Sequence, residues 1–457
     1  MDPEYFNREA LRVQALVSKN LRLGDLVRDG YRVVYETTQA IDRVEGEEAG
    51  LPYFLQSADI TTPFINAESM GCVVQSDWER YPKGRIQPGE LLIEVKGKAE
   101  KIAVVPDNFP IKTLVSGTCF KLTTKSVSDR YFLAAYLTCR YGQLLKDRLK
   151  TNLLVSYLAK DDLYALPVPD TSAEFRSGIQ RVFIDCYRLK AEASATYSEA
   201  ETLLLNALGL TSFSPSVEKV NVKPFSESFS NTGRLDAEHY QPKYDQLDDA
   251  FANHHGGTTT VGALADEIAN GAEVREYQAE GTPYLRIGDL KFLDVDASSV
   301  VRIDPASAKS GLEKIGLKAG DVLLSRSGSL AVSAVVEPAW ESALISSHLI
   351  RLRIRDSRID PYFLALFFMT LPGKMQIQKW SNGGVQPEIS QPAVKVITVP
   401  VLPWPEQQEI RRLILLARAL RTQSDNLLQA AKRAVEIAIE QDEAAGRAYL
   451  VQKMEVT

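Results

Sequence analysis

The stretch Ile86-Gln-Pro-Gly-Glu-Leu-Leu-Ile-Glu-Val-Lys-Gly-Lys98 decides how this chain is read, because it is written a second time as Leu317-Lys-Ala-Gly-Asp-Val-Leu-Leu-Ser-Arg-Ser-Gly-Ser329. Asp129-Arg-Tyr-Phe-Leu133 likewise recurs as Asp360-Pro-Tyr-Phe-Leu364. Gly89 and Gly320, Asp129 and Asp360, Val168 and Val399, and Ile179 and Ile410 all stand 231 residues apart, so a long stretch aligns without a gap. Two similar units in one chain point to two similar jobs, and a pseudo-symmetric ligand suits a pseudo-symmetric protein.

Working outward, each copy repeats one order of parts. Asp2-Pro-Glu-Tyr-Phe6 answers to Asp236-Ala-Glu-His-Tyr240, and Leu23-Gly-Asp-Leu26 to Val261-Gly-Ala-Leu264. Pro52-Tyr-Phe-Leu55, ending in Asp59, answers to Pro283-Tyr-Leu-Arg286, ending in Asp289. A glycine turn, two apolar strands, an aromatic helix (131–137; 362–369) and a proline-bounded strand (166–169; 397–400) follow. Short β-branched runs punctuated by Gly and Pro, mixed with a few helices, read as a compact α/β unit.

Each unit then runs into a long helical pattern. Apolar or small residues fall at Ile179, Val182, Cys186, Leu189, Ala193, Thr196, Ala200, Leu203 and Ala207, and again at Ile410, Leu413, Ala417, Leu420, Ser424, Leu427, Ala431, Ala434 and Ala438. Steps that alternate three and four are a heptad seam. Ile179, Val182, Leu189 and Leu203 are expected to meet Ile410, Leu413, Leu420 and Leu427. About 35 residues at 1.5 Å each give a rod of roughly 50 Å. The expected fold class is α/β (α+β): two similar globular domains, a tandem duplication with pseudo-two-fold symmetry, separated by a long antiparallel two-helix coiled coil. The boundaries expected are 1–170 and 235–404 for the globular domains, 171–209 and 405–447 for the long helices, 210–234 for a Ser/Pro-rich linker, and 448–457 for a tail.

Bulk properties narrow the class. The chain has 457 residues, with 45% apolar and 25% charged, an ordinary globular composition. No apolar run of membrane-spanning length and no secretory signal is visible, so a cytoplasmic protein is expected. The cysteines Cys72, Cys119, Cys139 and Cys186 form no CxxC and have no cysteine counterparts in the second copy, so they read as small hydrophobes in a reducing compartment. The net charge of −6 is unusual for a protein that holds DNA alone. Segregated charge, or phosphate contacts made by partner subunits, would reconcile the two.

No Walker loop, GxGxxG, nucleophile elbow or histidine metal spacing occurs. Glu90, Glu94 and Lys96 resemble the acidic and Glu-x-Lys residues of metal-dependent nucleases, which would hold Mg²⁺. The second copy has Ser325-Arg-Ser327 where the first has Glu94-Val-Lys96, so a nuclease remains only an alternative, and the chain reads as non-catalytic with no metal and no cofactor of its own. What varies on the repeated frame is informative. Around the glycine turn one copy offers Lys96, Lys98 and Lys101, the other Arg326, Ser327 and Ser329. At the Pro-Tyr strand stand Gln56 and Arg286, and before the closing strand stand Lys150 and Asn152 in one copy and Lys379, Asn382 and Gln386 in the other. Such side chains hold phosphates and read base edges, and different sets on one frame would read different sequences.

The pattern resembles the specificity (S) subunit of type I restriction-modification systems. The resemblance is carried by Arg234-Leu-Asp-Ala-Glu-His-Tyr-Gln-Pro242, Pro283-Tyr-Leu-Arg-Ile-Gly-Asp289, Ala319-Gly-Asp-Val-Leu-Leu-Ser325 with Gly328, and Ser346-Ser-His-Leu-Ile350. Further carriers are Asp360-Pro-Tyr-Phe-Leu364, Asn382-Gly-Gly-Val-Gln-Pro387 and Val399-Pro-Val-Leu-Pro-Trp-Pro-Glu-Gln-Gln-Glu-Ile410. Copy one departs from it, with Thr171-Ser-Ala-Glu-Phe175 in place of Leu402-Pro-Trp-Pro-Glu406 and no Gly-Gly-x-Gln. The resemblance implies two target recognition domains reading a bipartite asymmetric site on double-stranded DNA. It also implies a helical spacer that docks two methyltransferase (modification) subunits and a restriction subunit. S-adenosylmethionine, ATP and Mg²⁺ would then belong to the partners. An S-like subunit of a methylation or defence system without the restriction motor is a further alternative, as is a two-headed protein-binding adaptor.

Overall fold

The computed structural model describes residues 7–17, 21–35, 38, 40–41, 50–110, 112–150, 157–306, 315–383 and 386–455. They form two compact units, 1–190 with 422–457, and 191–421. The architecture is mixed α/β with two long helices, Ala173–Ala207 and Trp404–Glu440. Each long helix contributes one half to each unit.

In the first unit, strands Val27–Arg32, Cys119–Thr124, Leu91–Glu94 and Ile102–Val104 lie side by side in that order, all antiparallel. In the second, Ala265–Asn270, Leu349–Ile354, Val322–Ser325 and Ser333–Val335 do the same. Both first strands carry a bulge, at Val27/Asp29 and at Ala265/Glu267. Both units add a smaller sheet with a parallel pair: Tyr53–Leu55 beside Thr113–Val115, and Tyr284–Leu285 beside Leu344–Ile345.

The reasons for these elements sit in the repeated residues. Leu91, Leu92 and Ile93, like Val322, Leu323 and Leu324, are fully buried, as a continuous apolar run in a covered strand requires. Gly89 (φ +83°) and Gly320 (φ +87°) take the left-handed conformation that starts those strands. The acid after each glycine accepts from the backbone three residues back, Gln87 N–H to Glu90 at 2.8 Å and Lys318 N–H to Asp321 at 2.9 Å. The aromatic helices, Val127–Thr138 and Pro361–Met369, each turn sharply into a second helix, Arg140–Arg148 and Leu371–Trp380. A β-carbon on Gly142 would lie 1.9 Å from the Tyr136 carbonyl, and one on Gly373 would lie 1.9 Å from the Phe367 carbonyl. Only glycine fits either corner.

Along the long helices, Ile179, Val182, Leu189, Ile410, Leu413, Leu420 and Leu427 are buried. In the first unit the helices run antiparallel. The Ser424 hydroxyl donates to the Cys186 carbonyl at 2.9 Å, and the Cys186 thiol donates to the Ser424 carbonyl at 3.4 Å. Leu203 departs from the expected seam: it is half-buried, and Leu204 takes the inward place. The buried positions there step by four, Ala200, Leu204 and Leu208, because an unsupercoiled helix drifts out of a 3.5-residue repeat. They join the second unit's core with Tyr244, Phe251 and Phe367.

Two boundaries differ from expectation. The second long helix ends at Glu440, and a separate helix, Glu443–Glu455, replaces most of the anticipated tail. Asp442 caps it through Ala445 N–H at 2.8 Å, and its Leu450 is buried. The interdomain segment is not free chain either. Asn221 and Lys223 reach Asp245 at 2.8 and 2.6 Å, and Ser216 N–H reaches Gln246 at 2.9 Å.

Candidate nucleic-acid interface

In the second unit, three segments far apart in sequence converge on the glycine turn after Val322–Ser325. Arg326 N–H donates to the His348 carbonyl at 2.8 Å, and Ile389 N–H donates to the Arg326 carbonyl at 2.9 Å. Asn382 and Glu388 close a loop by exchanging two backbone hydrogen bonds of 2.8 Å. The first unit builds the same junction: Val95 N–H donates to the Thr118 carbonyl at 2.9 Å, and Leu158 N–H to the Val95 carbonyl at 3.0 Å. Lys96 bridges to Tyr157 as Ser327 bridges to Glu388. Each unit thus presents one edge where a glycine turn, a strand entry and a pre-strand loop meet.

The edges differ in side chains. In the first, Lys96 and Lys98 are exposed on the turn. Arg32 lies over the Tyr157 ring at 4.6 Å, donates to its hydroxyl at 2.7 Å and to the Gly117 carbonyl at 3.1 Å. In the second, Ser329, Asn382 and Gln386 are exposed, and Arg326 is held by Glu388 and by the Ser347 carbonyl at 3.4 Å. Arg286 is fixed by Asp289 and donates to the Ser299 carbonyl at 2.8 Å. It stands with His348 around one cavity.

Four of the expected contact residues are engaged elsewhere. Ser327 is buried and shares a 2.6 Å hydrogen bond with His348 Nδ1, so it positions the exposed imidazole. Lys101 donates to the Ser57 carbonyl at 2.8 Å and braces the turn that begins at Gln56, an exposed side chain. Lys150 pairs with Asp147 one helical turn away. Lys379 pairs with Asp248 on a largely buried stem, and its carbonyl accepts from His239 Nδ1 at 2.7 Å. In each case a partner distant in sequence, or one turn back on the helix, satisfies the charge or hydroxyl. Asn152 lies outside the described residues.

Sequence reading missed His348, Arg32 and Tyr157. Tyr157 stands 231 residues before Glu388, so the repeat offset could have flagged it as an edge residue. His348 carries no such signal.

The two carboxylates of the nuclease constellation are also engaged. The Glu90 carboxylate accepts from Gln87 N–H and from Lys121 at 2.8 Å each, and Glu94 accepts from Glu100 N–H at 3.0 Å and Lys101 N–H at 3.3 Å. Among the described residues no cluster of three or more His, Cys, Asp or Glu is placed to hold a metal ion. No helix among them is long and apolar enough to cross a membrane. Burial pushes the thiols of Cys119, Cys139 and Cys186 up to about 12, so they are packing groups.

A buried lysine amine distinguishes the first unit from the second. Lys146 is fully buried beneath the lysine-bearing turn and donates to the Ala99 carbonyl at 3.0 Å. Burial pulls its amine down to about 7, opposed by Asp147, Glu94 and Glu100 and aided by Lys150. At the same place the second unit has Ile377, also fully buried.

No protein-family model and no curated protein sequence matches the chain. Among solved structures, the chain is similar to a type I restriction-modification system S subunit from M. genitalium, with 14% identity, covering 92% of this chain and 94% of that one, at a TM-score of 0.41. It is similar to the HsdS subunit from Thermoanaerobacter tengcongensis, with 14% identity and 95% of each chain covered, at a TM-score of 0.27. A chain described under the complex assembly and conformational transition of the type I R-M system matches at 14% identity, covering 95% of this chain and 96% of that one, with a TM-score of 0.28. At these scores the likeness carries no argument of its own.

Proposed function

We propose that this chain is a non-catalytic DNA-recognition subunit with two target recognition domains, one on each unit's edge, reading the two halves of a bipartite asymmetric site. What supports this reading is a single observation. Two sheets of identical strand order present the same three-segment junction, and the junctions carry different polar sets: Lys96, Lys98 and the Arg32–Tyr157 pair on one, Arg326, the Ser327–His348 pair and Asn382 on the other. A common frame with exchanged contact groups is what two different half-sites on one duplex require.

In this reading the chain is a tandem duplication. The long helices pair as an antiparallel coiled coil, fix the half-site spacing, and dock two methyltransferase subunits, joined by a restriction subunit. Basic side chains grip phosphates while the polar ones enter the major groove. With a net charge of −6, much of the phosphate contact falls to the partners.

The test is to map methylated adenines in the host chromosome with this gene intact and deleted. Deletion should erase methylation at one asymmetric, gapped motif, and removing one heptad from both long helices should change the gap. An unchanged methylation map, together with no DNA retention by the chain plus its modification subunit in a gel shift, would refute the proposal.

A further inference from the structure

The second unit holds a cavity of about 500 Å³ beside its edge, walled by Tyr277, Tyr284, Arg286, Ser346, Ser347 and His348. Its arginines are already paired. Arg275 meets Glu273 at 2.9 Å, and Arg286 meets Asp289 at 3.3 Å and donates to the Ser299 carbonyl at 2.8 Å. A cavity whose cations are neutralised is a poor phosphate site.

Two polar groups in the wall are incomplete. Ser346 is 5% exposed, and among the described residues its hydroxyl has no hydrogen-bond partner, an unfavourable state for a buried polar atom. His348 engages Nδ1 with Ser327, and among the described residues nothing meets its Nε2. Next to them lies an aromatic surface. Tyr277 is 47% exposed, with the Tyr284 ring 6.2 Å away and the Arg286 guanidinium 5.5 Å from its centroid. A flat surface beside unfilled hydrogen-bonding groups, without free charge, fits a flat neutral ring that carries donors and acceptors on its rim.

We propose that this cavity receives one unstacked nucleobase, its face on Tyr277 and its edge on Ser346 and His348. The inference rests on the DNA-recognition reading and deepens it. One half-site is then read partly by taking a base out of the stack, which favours a weakly stacked step at that position. The first unit lacks the equipment. By strand register, which sets Phe54 and not Tyr53 at the place of Tyr284, it has Phe54 for Tyr284, Gln56 for Arg286 and Thr118 for His348, and its Ser116 hydroxyl is satisfied by Thr118 at 2.8 Å. The base-holding role belongs to one unit alone.

The test uses the full chain labelled with ¹⁵N-histidine. It has only 4 histidines, so a His348→Ala variant assigns the signal. Adenosine, guanosine, cytidine, thymidine and inorganic phosphate are titrated separately. At least one nucleoside should move the His348 signal saturably, and phosphate should not. Tyr277→Ala and Ser346→Val should each weaken that response by roughly tenfold, whereas Tyr277→Phe, which keeps the aromatic face, should preserve it. Thermal melting checks that the variants fold.

Phosphate acting below every nucleoside overturns the proposal, as does a His348 signal that no nucleoside moves. If sequence-dependent DNA retention persists while nucleosides fail, the base pocket falls and the recognition reading stands. If a nucleoside binds while DNA is not retained, the recognition reading falls and the cavity remains a nucleoside site.

Discussion

At corresponding places on their edges, the two units put Lys96 and Ser327, and the residues behave oppositely. Lys96 stands in solvent, while Ser327 is buried and clamps His348. Beneath the same turns, the first unit buries the amine of Lys146 and the second the side chain of Ile377. Yet the backbone around them is held by the same devices: the left-handed glycines, the capping acids and the glycine corners. The difference teaches that the frame tolerates exchange of edge groups because its geometry is fixed by residues that face away from the edge.

The largest effect should come from breaking that common frame. Gly142→Ala and Gly373→Ala each force a β-carbon into a backbone carbonyl, and each should cost about 3–5 kcal/mol in denaturant unfolding. A substantial cost in one unit and none in the other would end the equivalence of the corners.

The next test sharpens a contrast. Asp129 meets Arg176 at 2.7 Å with side chains 9% and 12% exposed, whereas Asp360 meets Gln407 by its backbone and the more open Arg411 at 3.2 Å. Arg176→Met leaves a buried carboxylate unpaired and should cost about 3 kcal/mol. Arg411→Met should cost under about 1 kcal/mol, because its guanidinium is exposed and the buried Asp360 carboxylate keeps Tyr362 N–H at 2.8 Å and Gln408 at 3.3 Å. Equal losses in urea titrations would contradict this.

Lys146 gives a pH signature. Its folded amine titrates near 7 against 10.5 unfolded, so between those values the unfolded chain binds the extra proton. Stability should therefore rise with pH from about 7, at a slope approaching 1.4 kcal/mol per pH unit. Lys146→Ile, which imports the second unit's residue, should flatten that slope. The range from about pH 7 to 8 is the useful one, since ordinary thiols, with a pKa near 8.5, ionise increasingly above it. Parallel pH profiles for the two proteins would remove the buried charge as the cause.

The smallest effects are on recognition. Lys96→Ala should lower the slope of log affinity against log salt by about one and weaken all sequences alike. Ser327→Ala should change stability by about 1 kcal/mol or less while relaxing the preference at one half-site, because His348 loses its clamp. Selection of binding sites from random duplexes, with the modification subunit present, separates the two outcomes.

Much of the frame was legible in the chain itself. The 231-residue offset, the turn glycines, the aromatic helices and most of the inward positions on the long helices follow from periodicity and from conformations only glycine accepts. These are local rules, written within a few residues of where they act. The edge was legible only as a region. Lys101 and Lys379 look like free cations in sequence, but the Ser57 carbonyl and Asp248 satisfy them from 44 and 131 residues away. His348 looks like an isolated histidine until Ser327, 21 residues back, turns it outward. Which polar group is available to a ligand depends on what the fold brings against it, and that pairing is set by packing, which no short stretch of sequence encodes.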